Sequence, residues 1–240
     1  MCWSVEASVA MVAAGAVAAG VARSRQEPWA IWGTLGYFTL MEALQVAGYG
    51  VLDQCGSTSN QLVTVLSYLH IAVQPVAINL FALELVPDRV KRRAFRPVLA
   101  IAAAVSVIMV LQLVPVSSFG TCIPGSPLCG EQLCTVSGNW HIAWDIPYNG
   151  LMVPVDSVLG LRSGFPNYMA AVFLLPLAYG AWRFVLMHLL AGPVLAWGLT
   201  TDPNEMPAIW CLFSVAILCV GLSPMVRRSV STRTWWGVTV

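Results

Sequence analysis

The chain has three histidines, and His70 and His188 lie inside long apolar stretches, as does Glu42. An ionisable side chain at membrane depth is costly and marks function by default. At 1.5 Å per helical residue, Glu42 lies about 15 Å, His70 about 12 Å and His188 about 18 Å below one common boundary. Two histidines and a carboxylate can form a first shell for zinc or iron. His141, in a segment that can fold over the mouth, offers a third nitrogen. A metal held this way would lower the pKa of a bound water toward 7. In that picture His70, His188 and His141 are ligands, Glu42 is a ligand or general base, and Ser67 donates to a developing oxyanion. Ser67, His70 and Gln74 share one helical face, and Gln45 shares the face of Glu42. Glu6, near the outer end of the first apolar stretch, belongs to the same polar set. Two other readings of these residues stand beside the metal site: a hydrogen-bonded network that glues helices together, and a proton or ion path.

The surrounding sequence sets where such a centre sits. Of 240 residues, 58% are hydrophobic and 10% charged, whereas a soluble domain carries roughly 25% charged residues, and the mean hydropathy is +0.75. This excludes a soluble enzyme. Lys and Arg total 12 against 11 Asp and Glu, a net charge of +1, so no basic surplus exists for a nucleic acid partner. The sole lysine, Lys91, lies in a loop, which excludes a retinal Schiff base inside a helix. Membrane lipids are the expected partners, with a small-molecule or lipid ligand.

About 20 mostly apolar residues cross a bilayer. Seven stretches qualify, near Trp3–Ala22, Trp29–Leu52, Gln61–Leu85, Val98–Val116, Tyr168–Gly180, Trp182–Leu199 and Pro207–Pro224. The expected fold is all-α, a polytopic seven-transmembrane-helix bundle forming one domain over residues 1–240. With the amino terminus outside and the carboxyl terminus cytoplasmic, every basic residue except Arg162 falls on the cytoplasmic side, as the positive-inside rule requires. Cys2, Cys55, Cys122, Cys129 and Cys134 then all lie at the outer face. The outer loop, about residues 117–167, reads as cross-linked to itself or to Cys55. The four loop cysteines allow three complete pairings, and disulfides suit them better than a metal, since no histidine sits among them.

Two resemblances attach to these motifs. Met1-Cys2-Trp3-Ser4, Met41-Glu42-Ala43-Leu44-Gln45, Ser67 to Pro75, Trp140-His141-Ile142-Ala143-Trp144 and Ala208-Ile209-Trp210-Cys211 look like an uncharacterised family of multi-pass membrane proteins of bacteria and large DNA viruses. That resemblance implies no activity but draws attention to Cys2, Glu42, His70, Gln74 and His141. Ser67-Tyr68-Leu69-His70 and Gly138 through Asp145 are similar to segments of the alkaline ceramidase and adiponectin receptor superfamily of zinc-dependent lipid amide hydrolases. That superfamily has two histidines four apart in its last helix. Here the residue four after His188 is Gly192. The likeness therefore implies a third ligand drawn from His141, Glu42 or Cys2. The function expected is a membrane-embedded, metal-dependent enzyme, a hydrolase of a lipid or other amphiphile using zinc or iron. The alternatives are a non-enzymatic small-ligand or proton-coupled carrier or receptor, and a structural membrane subunit.

Overall fold

The structure is a computed structural model that describes residues 4–211 and 213–234. Its helices are α1 (Val5–Ser24), α2 (Trp29–Gly50), α3 (Thr58–Leu83), α4 (Asp88–Gln112), α5 (Val153–Leu159), α6 (Pro166–Ala178), α7 (Trp182–Leu199), α8 (Met206–Leu222) and α9 (Pro224–Val230). Local chemistry sets several boundaries. The side chains of Ser4, Ser57 and Ser223 accept from the amides of Ala7, Asn60 and Val226 and so cap α1, α3 and α9. Pro28 and Pro87 precede α2 and α4, where extended backbone gives way to helix.

Each apolar stretch is helical over most of its described length, but not every helix can span. Four helices, α1, α3, α4 and α7, are long and apolar enough to cross a membrane. A fifth is added if α8 and α9, bent by 111° at Ser223, count as one broken span. Helix α2 is 22 residues long, but Glu42, Gln45, two threonines and four glycines dilute its apolar character. Helix α6 is short. The seven-span bundle expected from sequence is thus reduced to four spans by this criterion, five with the bent pair.

Small residues and a buried post organise the packing. Helix α1 turns Ser8, Gly15, Ala18 and Ala22 inward, and a Cβ on Gly15 would lie 2.2 Å from the Thr39 hydroxyl oxygen of α2. This is close small-residue packing of the kind membrane helices use. Helix α3 is the central post: 67% of its apolar window is buried, against 22% for α1 and α4. The outward faces keep large apolar side chains exposed, among them Val17, Leu62, Val107, Leu190 and Trp197. A water-facing surface rarely carries so many.

The two ends of the bundle differ chemically. At one end the basic loops interlock: Arg227 pairs with Glu27 at 2.5 Å, Lys91 with Glu84 at 2.6 Å, Arg25 donates to the Leu222 carbonyl, and the Thr232 amide donates to Leu85. At the other end sits an antiparallel hairpin, β1 (Cys134–Ser137) and β2 (Ile142–Asp145), with Cys134 opposite Asp145. The hairpin corrects the all-α expectation. Its β1 strand is held by Asn60 of α3, whose carboxamide donates to the Val51 and Thr135 carbonyls and accepts from the Thr135 amide. A buried asparagine satisfied in this way supplies the pairing partner that so short a strand lacks.

The cysteines of this end pair as Cys55–Cys134 and Cys122–Cys129, while Cys211 and Cys219 are free. Mass mapping of unreduced protein should recover these two cross-links. Replacing Cys55 and Cys134 together by Ser should cost about 4 kcal/mol, because that bond closes the longer loop. The Cys122–Cys129 pair should cost roughly half as much, read from denaturant midpoints.

Candidate functional site

The loop between α7 and α8 builds the first part of the site. Thr200 Oγ1 accepts from the Asp202 amide and Asp202 Oδ1 from the Asn204 amide, 3.0 and 2.9 Å. These side-chain turns deliver Glu205 to the start of α8, where a carboxylate suits the positive end of the helix dipole. The Glu205 carboxylate is completely buried. It accepts from the Trp140 amide at 2.5 Å, from the His141 amide, and from the Thr200 hydroxyl at 2.5 Å. It therefore captures the two amides at the tip of the β1–β2 hairpin. Gly138 makes room for it, since a Cβ there would lie 2.8 Å from the Glu205 carboxyl. Asn204 adds a second clasp through Asp145 Oδ1, the Cys129 carbonyl and the Trp144 amide.

His141 links this cap to α2. Its Nε2 lies 3.0 Å from Gln45 Oε1, which can only accept, so Nε2 carries the proton and Nδ1 accepts from the Tyr49 hydroxyl at 2.8 Å. Burial pushes the His141 pKa down to about 3. Both ring nitrogens are engaged in protein contacts.

Beneath the cap lies a cavity of about 190 Å³. Phe38 of α2, Ile71 of α3, Tyr168 of α6, and Trp210 and Phe213 of α8 wall it. Pro127 and Leu128, inside the Cys122–Cys129 loop, also line it. Among the described residues, no Asp, Glu, Lys or Arg lines it. Helices α6 and α7 each carry a π-helical turn, Ala170–Leu174 and Leu190–Val194, with Pro176 and Pro193 in or beside them. Such turns widen a helix locally and frequent functional sites.

Two polar residues of the wall have defined roles. His188 Nε2 accepts from Trp210 Nε1 at 3.1 Å, and its ring stacks on Phe213 at 4.0 Å. Gly192 allows this, because a Cβ there would meet Trp210 Nε1 at 2.3 Å. His188 Nδ1 is buried without a partner among the described residues. Gln74 accepts from the Tyr168 hydroxyl at 2.6 Å.

The polar residues singled out in the sequence fall into separate places. Glu42 is buried with Oε1 3.3 Å from the Ser214 hydroxyl and Oε2 without a partner. His70 stacks on Tyr37 at 3.9 Å, its backbone carbonyl accepts from the Tyr37 hydroxyl, and its Nε2 has no partner. Ser67 is buried with its hydroxyl unpaired. Glu6 is exposed in the first turn of α1, opposite that helix's buried face. Cys2 lies outside the described residues. Among the described residues, no group of three or more His, Cys, Asp or Glu side chains could hold a metal ion. Glu42, His70 and His188 make no hydrogen bond to one another among the described residues. Rotation about each helix axis sends His70 toward α2 and His188 toward α6 and α8.

The residues that organise the site but were not singled out are Glu205, Tyr49, Tyr37 and Trp210. Glu205 had a readable signal: Asp202-x-x-Glu205 before an apolar run is a helix-start signature. The aromatics gave none.

The family of unknown function DUF5765 matches residues 6–231, and the chain belongs to it. No curated protein and no solved structure matches the chain.

Glu205→Ala would leave the Trp140 and His141 amides buried without an acceptor, and should lower stability by about 3–5 kcal/mol in thermal or denaturant unfolding. His141, held neutral by burial, contributes stability that is complete above its ordinary pKa of 6.5 and is lost as the pH falls from there toward 3. The melting temperature of the wild type should drop across that window. In His141→Gln the drop should be shallower.

Proposed function

We propose that this is an integral membrane protein whose helical bundle binds a small lipid-like molecule in the cavity beneath the outer cap. The observation that carries the reading is the cavity itself, apolar, free of charged side chains and lined by a few fixed polar groups, as small-molecule sites are. Energetics support it. Left empty, a void of this size would forgo roughly 4–5 kcal/mol of packing. The stacked His188, Trp210 and Phe213 are held by Gly192 and by mutual contact, which keeps them from filling it.

The arrangement of the ends supports a seven-crossing topology with the amino terminus outside. The basic loops meet at one end, where the positive-inside rule expects the cytoplasm. The disulfides gather at the other, where an oxidising compartment preserves them. Helix α5 exposes Val155, Val158 and Leu159 beside that cap, a face suited to the lipid headgroup boundary. The expected metal-dependent hydrolase finds no ligand set among the described residues, and His141 spends both nitrogens on Gln45 and Tyr49. Binding is accordingly the function proposed.

The test is native mass spectrometry of protein purified from membranes. Wild-type protein should carry a bound small molecule that survives detergent exchange. Ala196→Phe, which places a ring in the cavity wall, should reduce its occupancy at least tenfold while the protein stays folded. Equal occupancy in both proteins would refute the assignment.

A further inference from the structure

Resting on the binding reading, the inventory of hydrogen-bond groups around the cavity narrows the ligand. Tyr168 donates to Gln74, Trp210 to His188, Ser163 to Asp156 and Cys211 to the Pro207 carbonyl. Each of these cavity-lining donors is already committed inside the protein. His188 Nδ1, which carries the proton because Nε2 accepts from Trp210, is unpaired among the described residues but wholly enclosed, which leaves Gln74. It is 94% buried, as its 6% exposure implies, and it lines the cavity. Its Oε1 is taken by Tyr168, and its amide –NH2 is not wholly enclosed, so it is open to the cavity that the residue lines. A buried donor left unsatisfied costs about 1–3 kcal/mol, and such groups usually find an acceptor.

Shape adds the second constraint. A cavity of 150 Å³ lined by Leu, Ile and Phe holds one benzene ring. This one, at about 190 Å³, admits a ring with a short substituent. Its walls include the aromatic side chains of Phe38, Phe165, Tyr168, Trp210 and Phe213, which suit a ring-bearing guest. The absence of charged lining residues rejects an ionised headgroup, whose desolvation nothing would offset.

We infer that the cavity takes a neutral, ring-bearing carbonyl compound, of the aryl ketone or quinone class, whose carbonyl oxygen accepts a hydrogen bond from Gln74 Nε2. Any longer apolar tail of such a ligand would leave past half-buried Met169, Pro193 and Met206 at the cavity's edge.

The experiment compares two probes of nearly equal shape, a fluorinated acetophenone and the matching fluorinated ethylbenzene. Binding is followed by fluorine NMR with the full chain in phosphatidylcholine nanodiscs, and protein-free nanodiscs give the partition reference. The ketone should bind about fivefold more tightly than the hydrocarbon, the worth of one neutral hydrogen bond. Gln74→Met should erase that preference while leaving hydrocarbon binding within twofold. Should Gln74→Met fail to fold, the double variant Gln74→Met, Tyr168→Phe removes the donor without leaving the Tyr168 hydroxyl unpaired. Tyr168→Phe, which breaks the Tyr168–Gln74 bond but keeps the donor, should retain the preference. Equal affinity of both probes for the wild type would overturn the inference while leaving the binding reading intact. So would loss of the preference in Tyr168→Phe. If neither probe binds, the binding reading itself fails.

Discussion

The Glu205 carboxylate is the interaction on which the outer half of the molecule depends. A buried anion is unfavourable unless its oxygens are fully engaged, and here two backbone amides and a hydroxyl engage them. Because the amides belong to the hairpin tip and the carboxylate to the start of α8, satisfying the charge fixes the hairpin on the bundle. His141 is then placed against Gln45 and Tyr49, and Asn204 against Asp145 and Cys129. Cys129 closes the loop whose Pro127 and Leu128 line the cavity. One electrostatic requirement thus propagates through short polar contacts to the roof of an apolar cavity.

Below the cap the governing constraint is the opposite one, the need to keep a cavity open. Two π-helical turns, each accompanied by a proline, displace α6 and α7 from regular packing. His188, which would be an isolated polar group in an apolar wall, is instead immobilised between Trp210, Phe213 and Phe173. Its role is that of a rigid wall element. Asn79 does similar work deeper in the bundle, donating to the Pro75 and Ala171 carbonyls and accepting from Tyr179. It ties α3 to α6 beside the π turn.

Much of this fold was legible in the sequence, because apolar length and charge asymmetry are one-dimensional signals. The helical stretches, the gathering of Arg23, Arg25, Arg89 to Arg96 and Arg227 at one end of the bundle, and disulfide bonding among the four loop cysteines, though not its connectivity, could be read without coordinates. The hairpin could not, since Cys134–Ser137 is too short to show alternation and depends on Asn60 far away in sequence. The candidate site was half legible. Gln45, Gln74, His141 and His188 do lie in the cap or the cavity wall. The idea that Glu42, His70 and His188 meet used depth alone, whereas contact depends on rotation about each helix. Trp210, Tyr37 and Phe213 carry the actual contacts of the two membrane-depth histidines, and aromatic residues in an apolar run announce no such role.

The most direct test of the account is an experimental density map of the protein extracted from its membrane without delipidation, with the cavity beneath Leu128 inspected at side-chain detail. The account predicts a compact, non-protein density bounded by Phe38, Tyr168, Trp210 and Phe213, part of it within hydrogen-bond distance of Gln74. A cavity closed by rotation of those aromatic side chains, with no density inside, would contradict it.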